Sequence, residues 1–129
     1  MTSSVLLVDD SAVQATTRRM ILERAGYRVT VCLDAAAALK LLEENGCEAS
    51  YSIVLTDHIM PSLSGKEFVV SLRETCPHVP VLVLSGLAEA EDQYVGLGIE
   101  FHLKPFAPED LLAAVARMID DQSPMYKSA

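Results

Sequence analysis

The run Ile53-Val54-Leu55-Thr56-Asp57 constrains this chain more than any other stretch, because a short apolar segment with β-branched residues ends there in a carboxylate. Such a run reads as a strand buried on both faces, and the turn residues Pro61 and Gly65 mark where the chain leaves it. Strands buried on both faces belong to parallel sheets, whose ligands sit at the carboxyl ends of the strands. Asp57 is therefore delivered to a rim where chemistry can occur. By itself it would weigh little, since turns recruit Asp for their own hydrogen bonds. It has company: Val5-Leu6-Leu7-Val8 ends in Asp9-Asp10, Val81-Leu82-Val83-Leu84 ends in Ser85, and Ile99 to Leu103 ends in Lys104.

Helical patterns fill the intervals. Ser11 offers an N-cap for a helix to about Ala25, with Val13, Thr17, Met20 and Ile21 on its inner face and Gly26 as its stop. Tyr27, Val29, Val31 and Leu33 alternate with polar or small residues, as a half-buried strand at a sheet edge would. Asp34 caps a second helix that carries Ala35 to Ala38, Leu39, Leu41 and Leu42 and runs to Gly46, and Cys47 to Ser52 is a polar connection. A third helix, roughly Lys66 to Thr75, turns Phe68, Val69 and Leu72 inward and ends before Pro77. Ala88 to Val95 forms a short helix ahead of Gly96 and Gly98. Pro108 opens a closing helix with Leu111, Leu112, Val115, Met118 and Ile119 in one stripe, and from Asp120 on the chain is polar and frays. Five strands alternating with five helices imply right-handed crossovers and an α/β fold, a doubly wound parallel sheet covered on both faces. One domain spans residues 1–121, followed by a flexible tail, 122–129.

A chain of 129 residues can bury a core without metal or disulfide staples. Its net charge of −8 makes nucleic acid a poor direct partner. Arg18 and Arg19, with Arg24 and Arg28, are the nearest approach to a basic patch and read as the solvated face of a helix. No apolar run reaches the length of a membrane span, and Met1 to Ser4 lead into a strand without a signal core, so a cytoplasmic location is expected. Cys32, Cys47 and Cys76, odd in number and without a CxxC pair, read as reduced structural thiols, and no zinc site is expected.

In a parallel sheet Asp9, Asp10, Asp57, Ser85 and Lys104 emerge at one rim. Three neighbouring carboxylates repel, so one is protonated at neutral pH unless a cation sits among them. Oxygen donors with room for water suit Mg²⁺, and Lys104 beside such an ion makes a site that accepts a phosphoryl group, to which Ser85 adds a hydroxyl donor.

The four motifs Val8-Asp9-Asp10-Ser11, Thr56-Asp57-His58-Ile59-Met60-Pro61 with Gly65, Leu84-Ser85-Gly86 and Phe101-His102-Leu103-Lys104-Pro105-Phe106 resemble the receiver domain of two-component response regulators, from about residue 4 to 121. The resemblance implies the flavodoxin-like (βα)5 receiver fold with strand order 2-1-3-4-5. It implies that Asp57 is the phosphoacceptor, taking its phosphoryl group from a phosphohistidine on a histidine kinase or histidine phosphotransfer protein. It places Asp10 and Asp57 on Mg²⁺, with Asp9 assisting and Ile59 contributing its backbone carbonyl. By the same resemblance Lys104 grips the phosphoryl oxygen, Ser85 is the switch hydroxyl and Phe101 the rotating switch aromatic. Lys104-Pro105 would be a cis bond. A downstream protein target would meet the face made by the fourth helix, fifth strand and fifth helix, with homodimerisation left open. The domain would promote its own phosphorylation and dephosphorylation without being an enzyme in the usual sense, either standing alone or as part of a longer protein such as a hybrid histidine kinase.

Three features depart from the family pattern. Between Ser85 and Lys104 the chain is short by about one helical turn, roughly three residues, so the fourth helix is expected to be stunted or irregular. His58 stands where the family generally has an apolar residue, and reads as a tolerated strand-end side chain. Ile59 and Leu87 occupy positions that in the family influence the access of hydrolytic water, and apolar residues at both should slow dephosphorylation. Two other functions fit the strand and helix order: a constitutive interaction module on the same fold, and a flavodoxin-like ligand binder. The second needs a Gly/Ser/Thr-rich turn after the first strand, where this chain has Asp9-Asp10.

Overall fold

The computed structural model describes residues 3–46, 50–60, 63–105 and 107–121. The expectations for Cys47, the Pro61 turn, Phe106 and the tail 122–129 lie outside the described residues. In chain order the elements are β1 (Ser4–Val8), α1 (Ala12–Arg24), β2 (Arg28–Cys32), α2 (Ala35–Asn45), β3 (Ile53–Asp57), α3 (Gly65–Thr75), β4 (Val81–Ser85), a 3-10 segment (Ala88–Tyr94), β5 (Glu100–Leu103) and α4 (Pro108–Asp121). The closing helix α4 is the fifth helix of the sequence reading, because the 3-10 segment stands where a fourth helix was expected. All strand pairs are parallel, and the sheet order is β2-β1-β3-β4-β5.

Every residue of β3 and β4 is buried, as their unbroken apolar runs require, whereas β2 at the edge alternates between exposed and half-buried positions. One core lies between the sheet and the α2/α3 side and includes Leu6, Val54, Phe68, Leu72, Val83 and Tyr94. The other, with Val5, Leu7, Leu22, Leu55, Leu84 and Val115, is covered by α1 and α4. Ser11 and Asp34 cap α1 and α2 as expected, each accepting a hydrogen bond from the first turn. Ser64 and Glu67 form a reciprocal capping box at the start of α3. Among the described residues no helix is long and apolar enough to cross a membrane.

Two expectations are corrected. The inner stripe of α1 is Ala15 and Leu22, with Arg18 between them, while Val13 is 78% exposed and Met20 49% exposed. Of the expected face only Ile21 packs against the core, and Val13, Thr17 and Met20 misled because the true stripe carries an arginine, which is drawn inward by the acidic rim. Cys76 is disulfide-bonded, whereas the thiol of Cys32 is free. An odd number of cysteines without a CxxC pair pointed to free thiols, but sequence spacing does not say which cysteines a fold brings together.

The acidic rim as candidate functional site

β1 and β3 pair in register, so Asp9, one residue past β1, and Asp57, the last residue of β3, arrive at the same edge. Asp9 is fully buried and Asp57 nearly so, while Asp10 is exposed. One carboxylate oxygen from each of Asp9, Asp10 and Asp57 lies within 4.8 Å of the others. Hard, anionic oxygens converging from a buried to an exposed side fit a divalent ion that keeps part of its water, which is the preference of Mg²⁺. Ile59, two residues after Asp57, is 66% exposed, and because its side chain is a hydrocarbon any donor it offers is its backbone carbonyl.

Two cations meet these carboxylates. Lys104, at the end of β5, brings its Nζ to 2.9 Å from Asp57 Oδ1. Its backbone N–H donates to the Ser85 carbonyl at 2.7 Å, which fixes the end of β5 against β4, and the Lys104–Pro105 bond is cis. Arg18 Nη1 donates to Asp9 Oδ2 at 2.6 Å and reaches Asp57 Oδ1 at 3.3 Å. Asp9 Oδ1 accepts from the Ser11 N–H at 2.9 Å. Even so, the Asp9 carboxyl is pushed up to about 6, chiefly by burial and then by Asp57 beside it, against the pull of the Ser11 amide and the Arg18 charge.

Ser85 is buried at the end of β4, but its hydroxyl is turned onto its own loop, accepting from the Leu87 N–H at 2.9 Å. Phe101 is half-buried in β5 and tilts against Tyr94, with ring centroids 6.2 Å apart. Tyr94 in turn meets His58, its hydroxyl 2.6 Å from Nδ1 and the rings edge to face. Burial lowers the His58 pKa and pushes the Tyr94 hydroxyl up to about 12, so the neutral forms of both are favoured. His58 is thus a partnered buried side chain outside the carboxylate cluster. The chain doubles back closely here. Gly65 N donates to the His58 carbonyl at 2.7 Å, and a Cβ on Gly65 would lie 2.5 Å from the Tyr94 hydroxyl and 2.8 Å from the Asp57 carbonyl.

The strand ends thus bring together Asp9, Asp10, Asp57 and Lys104, with Ser85 at the same rim but engaged with Leu87, and Phe101 set back behind Tyr94. Sequence reasoning missed Arg18 and Tyr94. The spacing of Ser11, Ala15, Arg18 and Leu22 was a usable sign, because it runs an arginine down the stripe that starts at the helix cap. Tyr94 lies in a segment without regular periodicity, and no pattern marked it.

Residues 5–116 match the response regulator receiver domain family. The chain is 35% identical over 114 residues to the uncharacterised transcriptional regulatory protein YkoG of Bacillus subtilis, a match covering 86% of this chain and 48% of that protein. It is also 35% identical over 123 residues to the response regulator MprA of a Mycobacterium species, covering 93% of this chain and 52% of the other. The chain spans about half the length of these curated relatives. Among solved structures, the CheY-like response regulator receiver domain protein of Methanospirillum hungatei superposes with a TM-score of 0.86 at 25% identity, covering 95% of this chain and 97% of that one. Its five parallel strands in the order 2-1-3-4-5, its acidic rim and its match over nearly the whole length make this chain a member of the response regulator receiver domain family.

Proposed function

We propose that this receiver domain is a phosphorylation-activated switch in which Asp57 accepts a phosphoryl group from a phosphohistidine on a partner histidine kinase or histidine phosphotransfer protein. The observation that carries this reading is the 2.9 Å contact between Lys104 Nζ and Asp57 Oδ1, at a rim where three carboxylates converge. In the transfer, an Asp57 carboxylate oxygen forms a bond to phosphorus as the bond from phosphorus to the imidazole nitrogen breaks. That nitrogen keeps the electron pair and takes up a proton, and the product is an aspartyl phosphate. Lys104 holds Asp57 in place and then meets the negative charge on the phosphoryl oxygens. Held by Asp9, Asp10, Asp57 and the Ile59 carbonyl, Mg²⁺ would supply the neutralising charge that lets a phosphoryl group approach so acidic a rim.

Ser85 can offer its proton to a phosphoryl oxygen, drawing its loop inward, and Phe101 can follow into the space that opens. The readout surface on this view is the 3-10 segment, β5 and α4, presented to a downstream protein in the cytoplasm or to a second copy. Ile59 and Leu87, both exposed and apolar, shield the acyl phosphate from water, so a lifetime well beyond seconds is expected.

A small phosphodonor such as acetyl phosphate, with Mg²⁺, tests the proposal by intact-protein mass spectrometry. Wild type should gain one phosphoryl group and Asp57→Asn none. A wild-type chain that gains none would overturn the proposal and leave a constitutive interaction module on the same fold.

A further inference from the structure

We propose that Arg18 is a resident counter-ion of the acidic rim, holding Asp9 and Asp57 together while the divalent ion is away and yielding its place when the ion binds. The inference rests on the magnesium reading above and concerns what this chain's own cation does to that site. Arg18 Nη1 bridges two of the three carboxylates of the cluster, at 2.6 Å from Asp9 Oδ2 and 3.3 Å from Asp57 Oδ1. Its side chain is only 13% exposed and that of Asp9 is not exposed at all, so the pair meets in a poorly solvated place where charge interactions are strong.

Charge counting gives the direction. Lys104 already sits on Asp57 Oδ1, so Arg18 and Lys104 together balance the three carboxylates to within one charge. A divalent ion added on top would overshoot, and the guanidinium, which alone of the two cations touches both Asp9 and Asp57, is the one bound to two of the carboxylates the ion would take. Arg18 and the ion therefore compete for Asp9 and Asp57.

The displaced head has somewhere to go. The side chain lines a groove of about 350 Å³ between α1 and the start of α4, walled by Val13, Thr17, Ile21, Pro105 and Leu111. Lys104 lines the same groove, so the rim and the groove share both cations. Whatever occupies the groove and attracts the freed guanidinium strengthens metal binding, and by reciprocity metal binding presents the guanidinium to the groove.

Calorimetric titration of MgCl₂ into the full chain, as wild type and as Arg18→Met, tests the competition, since Met keeps an apolar stem against the groove wall. The variant should bind Mg²⁺ about tenfold more tightly. Equal or weaker binding by the variant would overturn the inference. A second measurement needs no variant. In the NMR spectrum of the wild type, the Arg18 guanidinium signals should be distinct without metal and move toward those of solvent-exposed arginines as Mg²⁺ saturates. Signals that stay put in a metal-saturated protein would overturn it as well. If neither protein takes up Mg²⁺ at millimolar concentration, the magnesium assignment itself falls and this inference with it, whereas equal uptake by both defeats only the role of Arg18.

Discussion

His58 and Tyr94 make a small polar island inside an apolar layer. The two groups satisfy one another at 2.6 Å, and both are buried. Tyr94→Phe keeps the ring against Phe101 but leaves the imidazole nitrogen without its partner. Stranding a buried polar atom costs roughly 1–3 kcal/mol, and urea denaturation should register a loss in that range. Gly65→Ala should be worse tolerated, because the added methyl meets backbone as well as the Tyr94 hydroxyl. Asp9 gives a pH test. Its folded pKa of about 6 lies above the carboxylate's ordinary 3.8, so the native state binds a proton the unfolded chain does not, and the charged form is a burden to folding at neutral pH. In chelator at pH 7.5, Asp9→Asn should therefore be more stable relative to wild type than it is at pH 5. The advantage should shrink as pH falls through about 6 toward 4, followed by thermal melts of both proteins at each pH. A gap that widens on acidification would contradict this account.

Among the elements, the connection from the 3-10 segment to β5 is the least regular, and one residue ties it down. Arg73 of α3 donates to the carbonyls of Leu97 at 2.7 Å, Gly98 at 3.0 Å, Cys76 at 3.1 Å and Val79 at 2.7 Å. Arg73→Ala should cost about 2–3 kcal/mol, charged hydrogen bonds being the stronger kind, and should raise amide exchange across residues 95–99. Exchange left unchanged there would show that the connection stands by other means. The irregular 3-10 segment that stands in place of a fourth helix was legible in Gly96 and Gly98, both of which adopt positive φ. The arginine clamp beside it was not, because its acceptors are backbone carbonyls that carry no mark in the sequence. Ser64 and Glu67 carry the spacing of a capping box, a sign in the sequence that the reading did not use. Replacing Ser64 with Ala should destabilise the domain by about 1 kcal/mol, measured by chemical denaturation.

Across the whole molecule, parallel pairing and burial followed from the apolar runs of β1, β3 and β4 and their alternation with helices, and the ends of β1 and β3 put Asp9, Asp10 and Asp57 on one rim, to which the end of β5 adds Lys104. The face of α1 did not follow, because hydrophobic periodicity counts an arginine as solvated and only the spacing from the Ser11 cap pointed it inward, toward Asp9 after β1 and Asp57 of β3. A rim that concentrates negative charge should make global stability depend on divalent ion. If Mg²⁺ binds only the native state, the melting temperature should climb with its concentration, by the equivalent of about 2.7 kcal/mol at a hundredfold excess over the dissociation constant. A melting curve indifferent to Mg²⁺ would rule this out. In the proposed switch, the hydroxyl at the end of β4 would decide how readily its loop responds. It keeps the Leu87 amide as a firm donor at 2.9 Å, while its own proton reaches the Leu87 carbonyl only at 3.4 Å. Redirecting that proton asks for a turn about a single bond and gives up little, so a newcomer with a good acceptor oxygen can recruit the loop without first tearing it loose.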